Sequence, residues 1–174
     1  MPNTYTLIAS NTVGSGGTSA ITFSSIPSTY TDLLIKVTAR GTDTSTNGWN
    51  QGGITFNSSS SGYSSTVLVG RGDLSPVAFT GGTSEIGYAF YISNSVTTAN
   101  TFGSADIYIP NYASANYKSV SSDFTEENNA ARAIMGFNAG LWSNTAAITS
   151  LTLTPSTGTL VQYSTAYLYG ISKT

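Results

Sequence analysis

Tyr30 to Arg40 reads Y-T-D-L-L-I-K-V-T-A-R, and from Leu33 onward it alternates. Leu33, Ile35, Val37 and Ala39 point one way, while Leu34, Lys36, Thr38 and Arg40 point the other. A side-chain period of two belongs to a β-strand, so this segment is a strand with one buried face and one mostly wet face. Ile26-Pro27-Ser28 leads into it as a turn, because proline fixes φ and has no N–H to give a ladder. Gly41 and the polar run from Thr42 to Gly48 follow it as a loop. The other apolar runs read as strands that cover its buried side.

Toward the N-terminus, Tyr5 to Ala9 is one strand and Ala20 to Phe23 another. The stretch Val13-Gly14-Ser15-Gly16-Gly17 between them predicts a hairpin closed by a glycine loop. Toward the C-terminus, Ile54-Thr55-Phe56 is a short strand. Asn57 to Ser65 (N-S-S-S-S-G-Y-S-S) has no periodicity and reads as a surface loop. Thr66-Val67-Leu68-Val69 fits a strand or a helical turn equally well. After Gly81-Gly82 come Ile86 to Ile92, Thr101 to Ile109, Tyr117 to Phe124, Ala133 to Leu141, Ala147 to Leu153 and Thr165 to Ile171. Within Ala133 to Leu141, the residues Ala133, Met135, Phe137, Ala139 and Leu141 share one face. About ten short strands at roughly 8–12-residue spacing predict an all-β chain. The architecture expected is a two-sheet antiparallel β-sandwich of jelly-roll type, one domain spanning residues 1–174.

Only 8% of the 174 residues are charged, against an ordinary share of roughly 25%. Ser, Thr, Asn and Gly fill the gap, yet the chain keeps 39% hydrophobic and 11% aromatic residues, enough for a core. Six basic and eight acidic residues give a net charge of −2. No basic stripe is available to neutralise phosphates, so nucleic acid is not an expected partner. Without cysteine, disulfides and thiolate chemistry are excluded, and without histidine the usual general base near neutral pH is missing. Met1 to Tyr5 shows no Sec-type leader, and no apolar run approaches the roughly 20 residues of a membrane span. The expectation is a protein made in the cytoplasm, without membrane, metal or cofactor, and not an enzyme.

Four groups of residues merit a chemical reading. Asp123, Glu126 and Glu127 form the densest acidic group. With Asn128 they are a conceivable Ca²⁺ site, though a polar turn after a strand is the plainer and preferred reading. Arg71-Gly72-Asp73 spells an adhesion tripeptide that is read as an ordinary turn. Trp49, flanked by Asn47, Asn50 and Gln51, lies in an expected loop, and Tyr63 lies in another. Trp49, Asn50 and Tyr63 are therefore the candidates for stacking on and hydrogen-bonding a glycan, or for a subunit contact. Trp142 closes a strong strand pattern and is expected in the core or an interface.

Several stretches also occur in a characteristic order: Y-T-L-I-A-S (5–10), F-S-S-I-P-S-T-Y-T-D-L-L-I-K (23–36), F-N (56–57) and G-Y-S (62–64). They continue with I-Y-I-P-N-Y (107–112), E-N-N (127–129), A-G-L-W (139–142), A-I-T-S-L-T-L (147–153) and L-Y-G-I (168–171). In these the chain resembles small β-sandwich virion proteins of tailed bacteriophages, including phages of cyanobacteria and marine bacteria. The resemblance implies a virion structural protein, with capsid decoration or cement as the first expectation. It also implies a homo-oligomer, usually a trimer, at the particle surface against partners such as the major capsid protein. A tail-fibre or receptor-binding module that recognises host surface glycans is the alternative.

Overall fold

The segment around Leu33 is the third of twelve strands in the computed structural model, which describes residues 4–72, 74–129 and 133–172. In chain order these are β1 (Tyr5–Thr12), β2 (Ile21–Phe23), β3 (Asp32–Ala39), β4 (Trp49–Phe56), β5 (Tyr63–Arg71) and β6 (Leu74–Thr80). They continue with β7 (Ile86–Ser93), β8 (Gly103–Ile109), β9 (Lys118–Glu126), β10 (Ile134–Trp142), β11 (Leu151–Pro155) and β12 (Thr165–Ile171). No helix occurs among the described residues. The strands form an eight-stranded sheet, β1-β12-β3-β8-β9-β10-β5-β6, and a four-stranded sheet, β2-β11-β4-β7. Every neighbouring pair is antiparallel, so the chain is the all-β, two-sheet sandwich that its periodicity predicts.

β3 keeps the register its sequence dictates. Leu33, Ile35, Val37 and Ala39 are buried, while Lys36 and Thr38 face outward. Ile35 lies opposite Ile107 of β8 and Leu168 of β12, so three neighbouring strands present one aliphatic row to the core. The small sheet answers with Ile21, Phe23, Ile54, Phe56, Leu151 and Leu153 in the same hydrophobic cluster. Each such side chain taken from water contributes about 1.5–3 kcal/mol before its ordering cost.

Four strands extend this core. With β5, β6, β9 and β10 set aside, β1 pairs with β12, β2 with β11, β3 with β8 and β4 with β7. That is the pattern of one long hairpin folded over on itself. The β9–β10 and β5–β6 hairpins then continue the large sheet beyond β8. They pack across β7, which is buried along most of its length although it is an edge strand. Two polar side chains cross between the sheets there. Asn138 Nδ2 donates to the Gly87 and Tyr88 carbonyls at 2.8 and 3.1 Å, and Ser65 Oγ donates to Gly87 at 3.1 Å. They satisfy carbonyls at a bulge where Tyr88 has a φ of 60°. A buried carbonyl left without a partner would cost about 1–3 kcal/mol.

The expected hairpin between the first two strands does not form. β1 joins the large sheet beside β12 and β2 joins the small sheet beside β11. The glycine loop is the crossing between sheets, stitched to the chain before β12 by reciprocal Thr18–Leu160 backbone bonds of 3.0 and 2.7 Å. Gly17, at φ 67°, makes that approach possible, since a Cβ there would stand 2.8 Å from the Leu160 carbonyl oxygen. β6 escaped the sequence reading because Pro76 interrupts it; proline is tolerated there since β6 is an edge strand.

Candidate functional site

Trp49 and Tyr63 are not loop residues; each opens a strand. Tyr63 extends the inward alternation of Ser65, Val67 and Val69, which the surrounding serines hide in the sequence. Its ring is buried, stacked on Trp142 at 6.0 Å between centroids and tilted against Phe56. Its hydroxyl accepts from the Phe56 N–H at 2.8 Å, and burial pushes its pKa up. Tyr63 therefore offers no face to a ligand, and Trp142 is core. Trp49 is half-buried and packs edge-on against Tyr91, with centroids 5.3 Å apart. Asn50 is buried with both ends of its amide occupied. Nδ2 donates to the Thr157 carbonyl at 2.8 Å, and Oδ1 accepts from Ser156 Oγ at 2.7 Å. Asn50 thus ties down the loop after β11. A shallow depression of about 200 Å³ lies beside Trp49, lined also by Asp43, Asn47 and Gln51. The structure brings Trp49 and Asn50 together but leaves Tyr63 elsewhere.

The acidic group does not converge on one point. Asp123 and Glu127 face outward while Glu126, at the end of β9, faces the core. Glu126 accepts from Ser93 Oγ at 2.8 Å and from Asn128 Nδ2 at 2.9 and 3.1 Å. Burial pushes its pKa up, and the Glu127 charge adds to that; the two hydrogen-bonding partners and Arg40 pull it down. No group of three His, Cys, Asp or Glu side chains placed to hold a metal occurs among the described residues. Instead of a turn, Asp123 and Glu126 occupy a strand. In the tripeptide, Arg71 ends β5 and Gly72 lies in the turn to β6, while Asp73 lies outside the described residues.

The surface that stands out is the outer face of the large sheet. One row of directly opposed residues crosses it, from Ala78 through Leu68, Phe137, Asp123, Asp106, Lys36 and Tyr167 to Ser10. At the β5–β10 end, Leu68, Met135 and Phe137 are 54%, 59% and 63% exposed. Met135 and Phe137 belong to the face recognised in the sequence, which turns out to point away from the core. Gly136, Asn138 and Gly140 take the inward positions, with Ile134 and Trp142 at the ends. At the other end lie Tyr5, Leu7, Tyr108 and Tyr167, all exposed, with Leu34 and Tyr169 half-buried among them. A depression of about 400 Å³ opens between Tyr5, Leu34, Lys36, Asp106 and Tyr169. Lys36 Nζ reaches Asp106 Oδ2 at 2.5 Å, and Tyr108 Oη donates to Asp32 Oδ2 at 2.8 Å, which raises the tyrosine's pKa. The alternation of each strand was visible in the sequence. Knowing that β12, β3 and β8 are neighbours was needed to see the rings gather.

The chain matches no protein-family model, and no curated protein matches it. Among solved structures it is similar to β-fructofuranosidase from Schwanniomyces occidentalis, at 8% identity over 99% of this chain and 35% of that one, with a TM-score of 0.32. It is similar also to the binding domain of botulinum neurotoxin serotype D/C, at 15% identity over 83% of this chain and 34% of that one, TM-score 0.25. A third is a protein of unknown function from Shewanella oneidensis, at 10% identity over 98% and 77% of the two chains, TM-score 0.24. The chain spans about a third of the length of the first two. Likeness this faint carries no argument about fold or activity.

Proposed function

We propose that this chain is a non-enzymatic structural protein of a tailed-bacteriophage particle, a decoration or cement protein on the capsid surface. It holds by contact with copies of itself, three in the usual arrangement, and with partners such as the major capsid protein. The observation that carries this reading is the Leu68–Met135–Phe137 patch. Three large apolar side chains, each more than half exposed on two adjacent strands, stand in water at a free-energy cost that is relieved when they are covered. The scarcity of charge supports the same role, because few side chains bring a large desolvation cost to a contact. The ordered stretches in which the chain resembles phage virion proteins support the particle as the setting. We read the folded-over hairpin of eight strands as a jelly roll, an architecture found in viral capsid and lectin domains alike. Fold analogy therefore favours neither role.

The second reading, a tail-fibre or receptor-binding module for host glycans, draws support from the outward tyrosines at the other end of the sheet. Particles assembled without this protein separate the two. For decoration, heads lose their contents at lower temperature or milder osmotic shock while adsorption is unchanged. Intact head stability with lost adsorption would replace decoration by the runner-up.

A further inference from the structure

We infer that the tyrosine end of the large sheet's outer face is a binding platform for a neutral glycan. This goes beyond the assembly role and does not depend on it. The inference rests on a small grid set by strand register. Tyr169, Leu34 and Tyr108 lie opposite one another on β12, β3 and β8, and Tyr167, Lys36 and Asp106 form the next outward row. With strands about 4.8 Å apart and outward residues about 6.7 Å apart along a strand, the grid covers roughly 10 by 7 Å. That area accommodates one to two sugar rings. Tyr5 and Leu7 wall it on the β1 side, and the depression of about 400 Å³ lies within it.

The chemistry is mixed in the way a sugar requires. A pyranose ring has an apolar C–H face that packs on the negative face of an aromatic ring, and a rim of hydroxyls that need hydrogen-bond partners. Here aromatic rings stand beside Lys36, Asp106 and the tyrosine hydroxyls. Asp123 lies directly opposite Asp106 across the β8–β9 ladder, and its carboxylate accepts no hydrogen bond within the described residues. Like charges placed opposite each other destabilise a sheet, and only Asp106 is neutralised by Lys36. Among the described residues Asp123 is thus a free acceptor at the edge of the platform. The Leu68–Phe137 end borders the same Asp123 but lacks the tyrosine hydroxyls and the Lys36–Asp106 pair. Charge also selects the ligand. Asp32, Asp106 and Asp123 outnumber Lys36, so an anionic sugar is repelled and a neutral one is not.

Affinity electrophoresis of the purified chain through gels containing dextran, galactomannan or polygalacturonate tests this. At least one neutral polysaccharide retards the wild type, and polygalacturonate does not. Tyr167→Ala and Tyr169→Ala each weaken the retardation about tenfold, whereas Tyr169→Phe keeps most of it. Tyr117→Ala, an exposed ring in the loop before β9, leaves it unchanged. Melting curves check that the variants fold, and Tyr5→Ala, on a side chain more than half exposed, replaces any that does not. The inference is overturned if neither neutral polysaccharide retards the wild type, if the tyrosine variants bind as well as it does, or if the polyanion binds better. It is equally overturned if the tyrosine variants change the oligomeric state and not the retardation, which makes this end a protein contact.

Discussion

The two ends of the large sheet's outer face expose large side chains of different kinds. At the β5–β10 end they are Leu68, Met135 and Phe137, with no polar atom other than a thioether sulfur. At the β1–β12–β3–β8 end, Tyr5, Tyr108 and Tyr167 each carry a hydroxyl, with the Lys36–Asp106 ion pair among them. A bare apolar patch gains most from another apolar surface, while rings mixed with hydrogen-bonding groups suit a ligand that is itself half polar. One sheet face thus exposes two kinds of surface, separated by Ser119, Ser121, Asp123 and Thr125 of β9.

The largest effect expected comes from setting that outer face against the inner one. Ile35→Asp places a carboxylate with no partner among Ile107, Leu168 and the small sheet, and it prevents stable folding. Phe137→Asp, the same change of chemistry on the outward side, costs only about 1 kcal/mol, because the new carboxylate stands in solvent opposite Asp123. Thermal melts followed by circular dichroism compare the two. A cooperatively melting Ile35→Asp protein, or a Phe137→Asp protein that fails to fold, would show the faces to be misassigned.

How much of this was legible beforehand depended on whether a feature was local. Leu33 to Ala39 declared its buried face in full, because alternation needs only the strand itself. The same local signal put Met135 and Phe137 on one face but could not say which face was wet. Gly136 and Gly140 occupy inward positions, so residue size and polarity along this strand do not mark its buried side. Small inward residues are required there. A Cβ on Gly136 would stand 2.4 Å from the Leu68 carbonyl oxygen, and one on Gly140 would stand 2.6 Å from the Ile86 side chain. Strand partners were least legible. Nothing in Tyr5 to Ala9 announces β12, more than 150 residues away, as its neighbour. Trp49 and Tyr63 were misplaced because glycine, asparagine and serine around them read as loop. In β4 those residues serve packing instead: a Cβ on Gly52 would fall 2.0 Å from the Phe90 ring.

A smaller effect separates the ends by pH. Under the tyrosine end, the inward residues of β3 and β12 are uncharged, whereas β9 carries Glu126 at its inner tip. Burial raises the Glu126 pKa, so the folded state holds that proton more tightly than the unfolded chain does. Stability therefore falls as pH rises from the ordinary glutamate pKa through the raised one, and the penalty is fully present above it. Glu126→Gln removes that part of the slope in urea titrations run across this range. Glu85, also pushed up by burial, contributes a slope of the same sign that remains. An unchanged slope in Glu126→Gln would place the titration elsewhere.

Sedimentation equilibrium, with capsid binding assayed on the same samples, tests the assembly role most directly. The proposed role predicts that the wild type sediments as an oligomer and binds capsids stripped of this protein. The Leu68→Ser/Phe137→Ser pair, folded by its melting curve, sediments as single chains and binds capsids weakly or not at all. Tyr167→Ser stays oligomeric. A wild type that remains a single chain at every concentration and ignores the capsid, or a double variant that assembles and binds as the wild type does, would contradict the account.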